Sequence, residues 1–163
     1  MMDIEKSIRS AFEDARSALD TFLNDEGNLV RVMALSKLTS EILQRRGRVM
    51  ICGNGGSYCD ALHFAEEFTG RYRKDREALP VMALGEASHV TCVGNDYGFD
   101  EIFSRQVDAF GHEGDLLIAI STSGNSPNII RAVEAAQERS MHTAALLGKG
   151  GGKLKGVCDL EWV

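Results

Sequence analysis

The 163-residue sequence predicts an α/β fold built on a doubly wound parallel sheet, and three observations carry that prediction. Short apolar runs at 49–52, 81–84, 116–120 and 143–147 are too brief for helices and too continuous for strands with one wet face. They suit a parallel sheet covered on both sides. Helical stretches separate the runs, so strand and helix alternate. Two of the strands lead directly into glycine-rich or serine-rich loops followed by a helix, and in such sheets ligands bind outside the carboxyl ends of the strands.

Taken in order, Ile4, Ile8, Phe12, Ala15, Leu19 and Phe22 recur every three or four positions and mark an amphipathic helix over 4–23. Leu29, Val32, Leu35, Leu38 and Ile42 repeat the rhythm over 29–43, and Arg45 and Arg46 before Gly47 fit its carboxyl end. Both precede every strand. Residues 1–46 therefore read as a helical hairpin outside the sheet, placed to pack on another subunit, and 47–163 as the α/β core of a single domain spanning 1–163. Within the core, helices are expected over 57–72, 100–110 and 126–139, and a turn over 94–99. Residues 158–163 read as one more strand, of the apolar central kind, with no helix after it to cover it.

Composition narrows the function. The chain is 44% hydrophobic and 26% charged, enough for one sizeable core. No apolar run approaches about 18 residues and the first ten residues mix acids and bases, so a cytoplasmic protein without membrane span or signal peptide is expected. Cys52, Cys59, Cys92 and Cys158 form no CxxC pair and read as reduced thiols. A net charge of −6 disfavours nucleic acid as a partner.

Chemistry concentrates at two loops and one helix. Gly53, Asn54, Gly55, Gly56 and Ser57 follow the first strand and open a helix, where glycine backbone and free helix amides suit an anionic or polyhydroxy ligand as readily as a tight turn. The spacing is neither a dinucleotide fingerprint nor a P-loop. Ser121, Thr122, Ser123 and Ser126 crowd a second helix entrance. Capping explains Ser126 before Pro127, but not the other three hydroxyls, whereas phosphate at a helix N-terminus uses them all. His63 and Glu67 stand four residues apart on the helix after the glycine loop and so share a face, while Glu66, about 100° round from Glu67, is expected to face elsewhere.

The run Cys52-Gly53-Asn54-Gly55-Gly56-Ser57 and the helix Asp60-Ala61-Leu62-His63-Phe64-Ala65-Glu66-Glu67-Phe68-Thr69-Gly70-Arg71-Tyr72 resemble the first active-site loop and helix of bacterial phosphoheptose isomerases, a branch of the SIS (sugar isomerase) family. Val93-Gly94-Asn95-Asp96-Tyr97-Gly98-Phe99, Phe103-Ser104-Arg105 and Ser121-Thr122-Ser123-Gly124-Asn125-Ser126 match in the same order. The resemblance implies an SIS fold (an α/β/α sandwich) and a homotetramer assembled partly through the N-terminal helices, with active sites near subunit interfaces. The implied reaction converts sedoheptulose 7-phosphate to D-glycero-D-manno-heptose 7-phosphate through an enediol(ate), the first step towards the ADP-heptose of lipopolysaccharide. By the same resemblance Ser121, Thr122, Ser123 and Ser126 hold the phosphate. Asn54 and Ser57 contact the sugar, Asp96 helps orient it, and Gly55, Gly56, Arg71 and Asn95 complete the substrate-binding set.

The chemistry needs one base and one acid to move a proton between adjacent carbons, and Glu67 is the expected base. The resemblance further implies one zinc per subunit, held by His63 and Glu67 with Gln and His from a C-terminal helix. Glu67 is then base, ligand or both. No match to that helix follows Val163, and His89, His112 and His142 do not replace its histidine, so an incomplete metal site is expected. The alternative class is a non-catalytic SIS protein, either a sugar-phosphate sensor or a DnaA-associating scaffold.

Overall fold

Leu116 and Leu117 are neighbours in one strand, so their side chains leave opposite faces of the sheet, yet both are fully buried. A computed structural model, which describes residues 3–163, accounts for this with helices packed over a central sheet. Its strands are β1 (Val49–Gly53), β2 (Val81–Ala83), β3 (Leu116–Ser121), β4 (His142–Leu147) and β5 (Leu160–Trp162). All four pairings are parallel, in the order β2-β1-β3-β4-β5. The helices are α1 (Ile4–Asn24), α2 (Glu26–Gln44), α3 (Gly56–Thr69), α4 (Ala87–Asp96), α5 (Ser104–Phe110) and α6 (Pro127–Glu138). Helix α3 lies against β1 and β2, and α6 against β3, β4 and α5.

The chain leaves β1 towards β2 on one side and returns to β3 on the other. This makes the β1/β3 boundary a topological switch point, where loops diverge and leave a crevice. Gly53 pairs with Ile120, and Ser121 with Leu147, so the carboxyl ends of β1, β3 and β4 are level. The glycine and serine loops therefore open side by side.

Several expectations are corrected by the packing. Helix α3 stops at Gly70, whose amide bonds the carbonyl of Glu66 at 2.7 Å, so Arg71 and Tyr72 lie beyond it rather than inside a helix over 57–72. A helix occupies 87–96 where only a turn from 94 is expected. Its sole buried residue is Val93, and its start is fixed by the Glu86 carboxylate accepting from the amides of Ser88 (2.9 Å) and His89 (3.2 Å). The 100–110 stretch is a 3₁₀ turn (Phe99–Glu101) followed by α5. Strand β5 is an edge strand and not a central one: Leu160 and Glu161 are half-buried and only Trp162 is buried. The indole Nε1–H of Trp162, the chain's single tryptophan, has no hydrogen-bond partner among the described residues.

The described residues divide into two compact units, one up to Ser36 and one from Lys37 to Val163. The first holds α1 and the start of α2. Ile4, Ile8, Phe12, Leu19 and Leu23 along α1 are all exposed. The second holds the sheet, and its core joins Met50, Leu117, Ile129 and Val133 with Leu84, Phe103 and Val107. Burying each such side chain contributes about 1.5–3 kcal/mol. No helix among the described residues is long and apolar enough to cross a membrane.

Candidate active site

At the end of β1, Gly55 adopts φ 55° and ψ −121°, a conformation for which glycine is suited because it lacks Cβ. It is the N-cap of α3 and has no side chain to engage the first-turn amides. Nothing lies within 4 Å of where a Cβ would stand on Gly55 or Gly56, so the entrance is open on this side. Asn54 is tied down differently: its Nδ2 donates to Oδ1 of Asn128 at 2.9 Å and its Oδ1 accepts from Nδ2 of Asn128 at 2.8 Å.

The serine loop is built from within. Ser121 is only 4% exposed, and its Oγ accepts from the amide of Gly124 (3.1 Å) and donates to Oγ of Ser126 (3.4 Å). Ser126 stands at the N-cap of α6 with Pro127 at the first position, as the sequence indicates. Its hydroxyl nevertheless makes no capping bond, so it does not occupy the helix amides. Thr122 is exposed and Ser123 half-buried, with Ser123 Oγ accepting from the amide of Asn125 at 3.2 Å.

Behind this loop lies a second glycine-rich segment, 148–152, whose part in the site the sequence reading missed. The amide of Gly148 donates to the carbonyl of Ser121 (3.3 Å), that of Leu154 to the carbonyl of Gly124 (3.1 Å), and that of Lys153 to Oδ1 of Asn125 (3.1 Å). Gly124, at φ 61°, has the carbonyl of Gly151 where a Cβ would be. Three glycines in succession after a strand were the available signal.

On α3, Nε2 of His63 lies 3.2 Å from Oε1 of Glu67 and 3.7 Å from Oε1 of Glu66. Glu66 thus belongs to the same cluster, contrary to expectation. Relative to His63 it stands at i+3, and that spacing shares a face as i+4 does. The three residues can bring donor atoms within 4.8 Å of one another, and imidazole nitrogen with carboxylate oxygens is a donor set that suits zinc. His63 and Glu67 border a cavity of about 610 Å³ with Phe64, Phe68, Tyr72 and Arg76. Arg76 donates to the carbonyls of Glu67 (2.6 Å) and Phe68 (2.8 Å), satisfying the last turn of α3.

A separate cavity of about 370 Å³ lies beside the first loop, bordered by Asn54, Gly55, Tyr58, Gly85 and Phe103. Burial, with the nearby charge of Glu86 second, pushes the Tyr58 hydroxyl pKa up, and that hydroxyl donates to the carbonyl of Gly85 at 2.6 Å. Asn95 and Asp96 are the exposed last residues of α4, bonded to each other at 2.7 Å, and they border neither cavity; nor does Arg71. The fold thus brings Asn54 and the serine loop together. It places His63 six positions past Ser57, about 9 Å further along α3.

This arrangement has counterparts. An SIS domain model matches residues 12–148. The phosphoheptose isomerase of Fusobacterium nucleatum is 50% identical over 162 residues, 99% of this chain and 81% of its own. That of Vibrio cholerae is 50% identical over 154 residues, 94% of this chain and 81% of its own. Among solved structures, a phosphoheptose isomerase from Francisella tularensis superposes with a TM-score of 0.91 at 38% identity, covering 98% of this chain and 82% of its own. The one from Neisseria gonorrhoeae gives 0.88 at 41% identity, covering 96% and 81%.

Proposed function

Because this chain belongs to the SIS-domain family, among its phosphoheptose isomerases, we propose that it interconverts sedoheptulose 7-phosphate and D-glycero-D-manno-heptose 7-phosphate in the cytoplasm, at the head of ADP-heptose synthesis. The observation that carries an enzyme rather than a silent binder is the His63–Glu67 pair at 3.2 Å, on the helix that grows out of the ligand loop.

The substrate's phosphate sits at the N-terminus of α6. There the hydroxyls of Thr122, Ser123 and Ser126 and the uncapped helix amides donate to it, with the helix dipole adding to the attraction. Ser121 shapes the loop from inside. Ser57 and the open backbone at Gly55 and Gly56 face the sugar, and Arg71, Asn95 and Asp96, which border neither cavity, stay in the proposed substrate set on the family likeness alone.

Glu67 takes the proton from C1 of the ketose, leaving the electron pair to form the enediol(ate) C1–C2 double bond. The C2 carbonyl oxygen takes up a proton as the enediol forms; return of a proton to C2 and loss of one from the C1 hydroxyl then leave a hydroxyl at C2 and the aldehyde at C1. His63 fixes the orientation of the Glu67 carboxylate. His63 and Glu67 are also the residues that would hold zinc, which when bound polarises the substrate carbonyl. The apolar face of α1 is the natural contact for the other subunits of a homotetramer, with active sites near the interfaces.

The direct test is turnover of sedoheptulose 7-phosphate against phosphorylated hexoses. Formation of the aldose from the seven-carbon substrate in preference to the others is expected. Binding of all these sugar phosphates without conversion of any would assign the protein to the sensors instead.

A further inference from the structure

Asn128 is buried to 1% exposure at the second position of α6, where a polar residue would ordinarily face water. A buried amide persists only where its donor and acceptor are both satisfied, and the Asn128 side chain meets both demands on one partner, Asn54. Asn54 is the first residue after β1, while Asn128 follows the serine loop that ends β3. The reciprocal pair therefore joins the sugar-side loop to the phosphate-side helix across the switch point.

We propose that Asn128 is a positioning residue that sets the spacing between the phosphate-holding and sugar-holding loops, and so the length of sugar phosphate the site accepts. This rests on the phosphosugar reading above and deepens it. With both polar atoms of its amide turned to Asn128, Asn54 acts chiefly by holding the loop in place. The phosphate loop itself is secured independently by Ser121, Asn125 and the 148–154 segment, so it should survive the loss of the pair.

The experiment compares Asn128→Ala, Asn54→Ala and the double variant with the unmodified protein. It measures KM for sedoheptulose 7-phosphate, competitive inhibition by inorganic phosphate, and the thermal melt. Asn128→Ala is expected to raise KM about tenfold while the inhibition constant of inorganic phosphate stays within about twofold, and to add nothing to the loss caused by Asn54→Ala. If Asn128→Ala fails to fold, the isosteric Asn128→Asp, which loses the donated bond, is judged by the same two ratios. Unchanged KM, equal losses for substrate and phosphate, or additive losses in the double variant would overturn the proposal. Failure of the unmodified protein to turn over the heptose phosphate or to bind phosphate would instead overturn the reading beneath it.

Discussion

The serine loop and the His63 face of α3 are both polar clusters, but they are held in opposite ways. Ser121 is 4% exposed and its loop is bonded to the 148–154 segment at several backbone positions. The side chain of His63 is 71% exposed, and among the described residues its polar contacts are only with the carboxylates of its own helix. The loop proposed to bind phosphate is therefore anchored in the core, where a small displacement is resisted by packing. The groups proposed to react stand on a helix, with the His63 side chain largely exposed and so accessible to a substrate. Substitutions should separate these roles: at the loop they cost stability or phosphate binding according to whether the group faces inward or outward, whereas on the helix chemistry fails alone.

The largest effect tests the helix. Glu67→Gln keeps shape and removes the proton acceptor, so turnover should fall by about 10²–10⁴ with the melting temperature unchanged. Substrate incubated in deuterium oxide should then gain no label, and normal incorporation would break the comparison by moving the base elsewhere. Next comes the loop. Gly124→Ala forces a side chain into φ 61° and onto the carbonyl of Gly151, and should cost at least ~2 kcal/mol in stability. Gly56→Ala meets open space and should stay within ~0.5 kcal/mol, although both are glycines of ligand loops. Thermal melts of the pair decide it, and equal losses would show the loops to be alike.

The smallest effect separates two serines of one loop. Ser123→Ala should weaken phosphorylated substrate by about 1 kcal/mol with little change in stability, since its hydroxyl is reachable. Ser121→Ala should instead appear as about 1 kcal/mol of lost stability, because its hydroxyl bonds Gly124 and Ser126 internally. The same small loss of substrate binding in both, with intact melts, would place Ser121 at the ligand.

The sheet was legible because burial on both faces writes itself into the chain as unbroken apolar runs such as 116–120. Helix α4 was not, since Val93 and the half-buried Val90 are too few core-facing residues to mark a period, and Glu86 caps it from outside the usual small polar set. The edge position of β5 was equally hidden, because the rank of a strand depends on pairing and not on its own residues. His63 and Glu67 could be paired from spacing alone. Glu66 was misplaced by measuring its angle from Glu67 and not from His63. Asn128 could not be found at all, because a polar residue in a first helical turn looks the same whether it faces solvent or another buried amide.

Trp162 also gives the molecule an optical property of its own. As the single indole, 8% exposed on the edge strand β5, it should emit at shorter wavelength in the folded protein and shift to longer wavelength once water reaches it. Circular dichroism averages over all the helices, whereas this signal reports on one margin of the sheet. Colour change ahead of ellipticity loss would mean that the sheet comes apart from β5 inwards, a sequence of events visible without attaching any label.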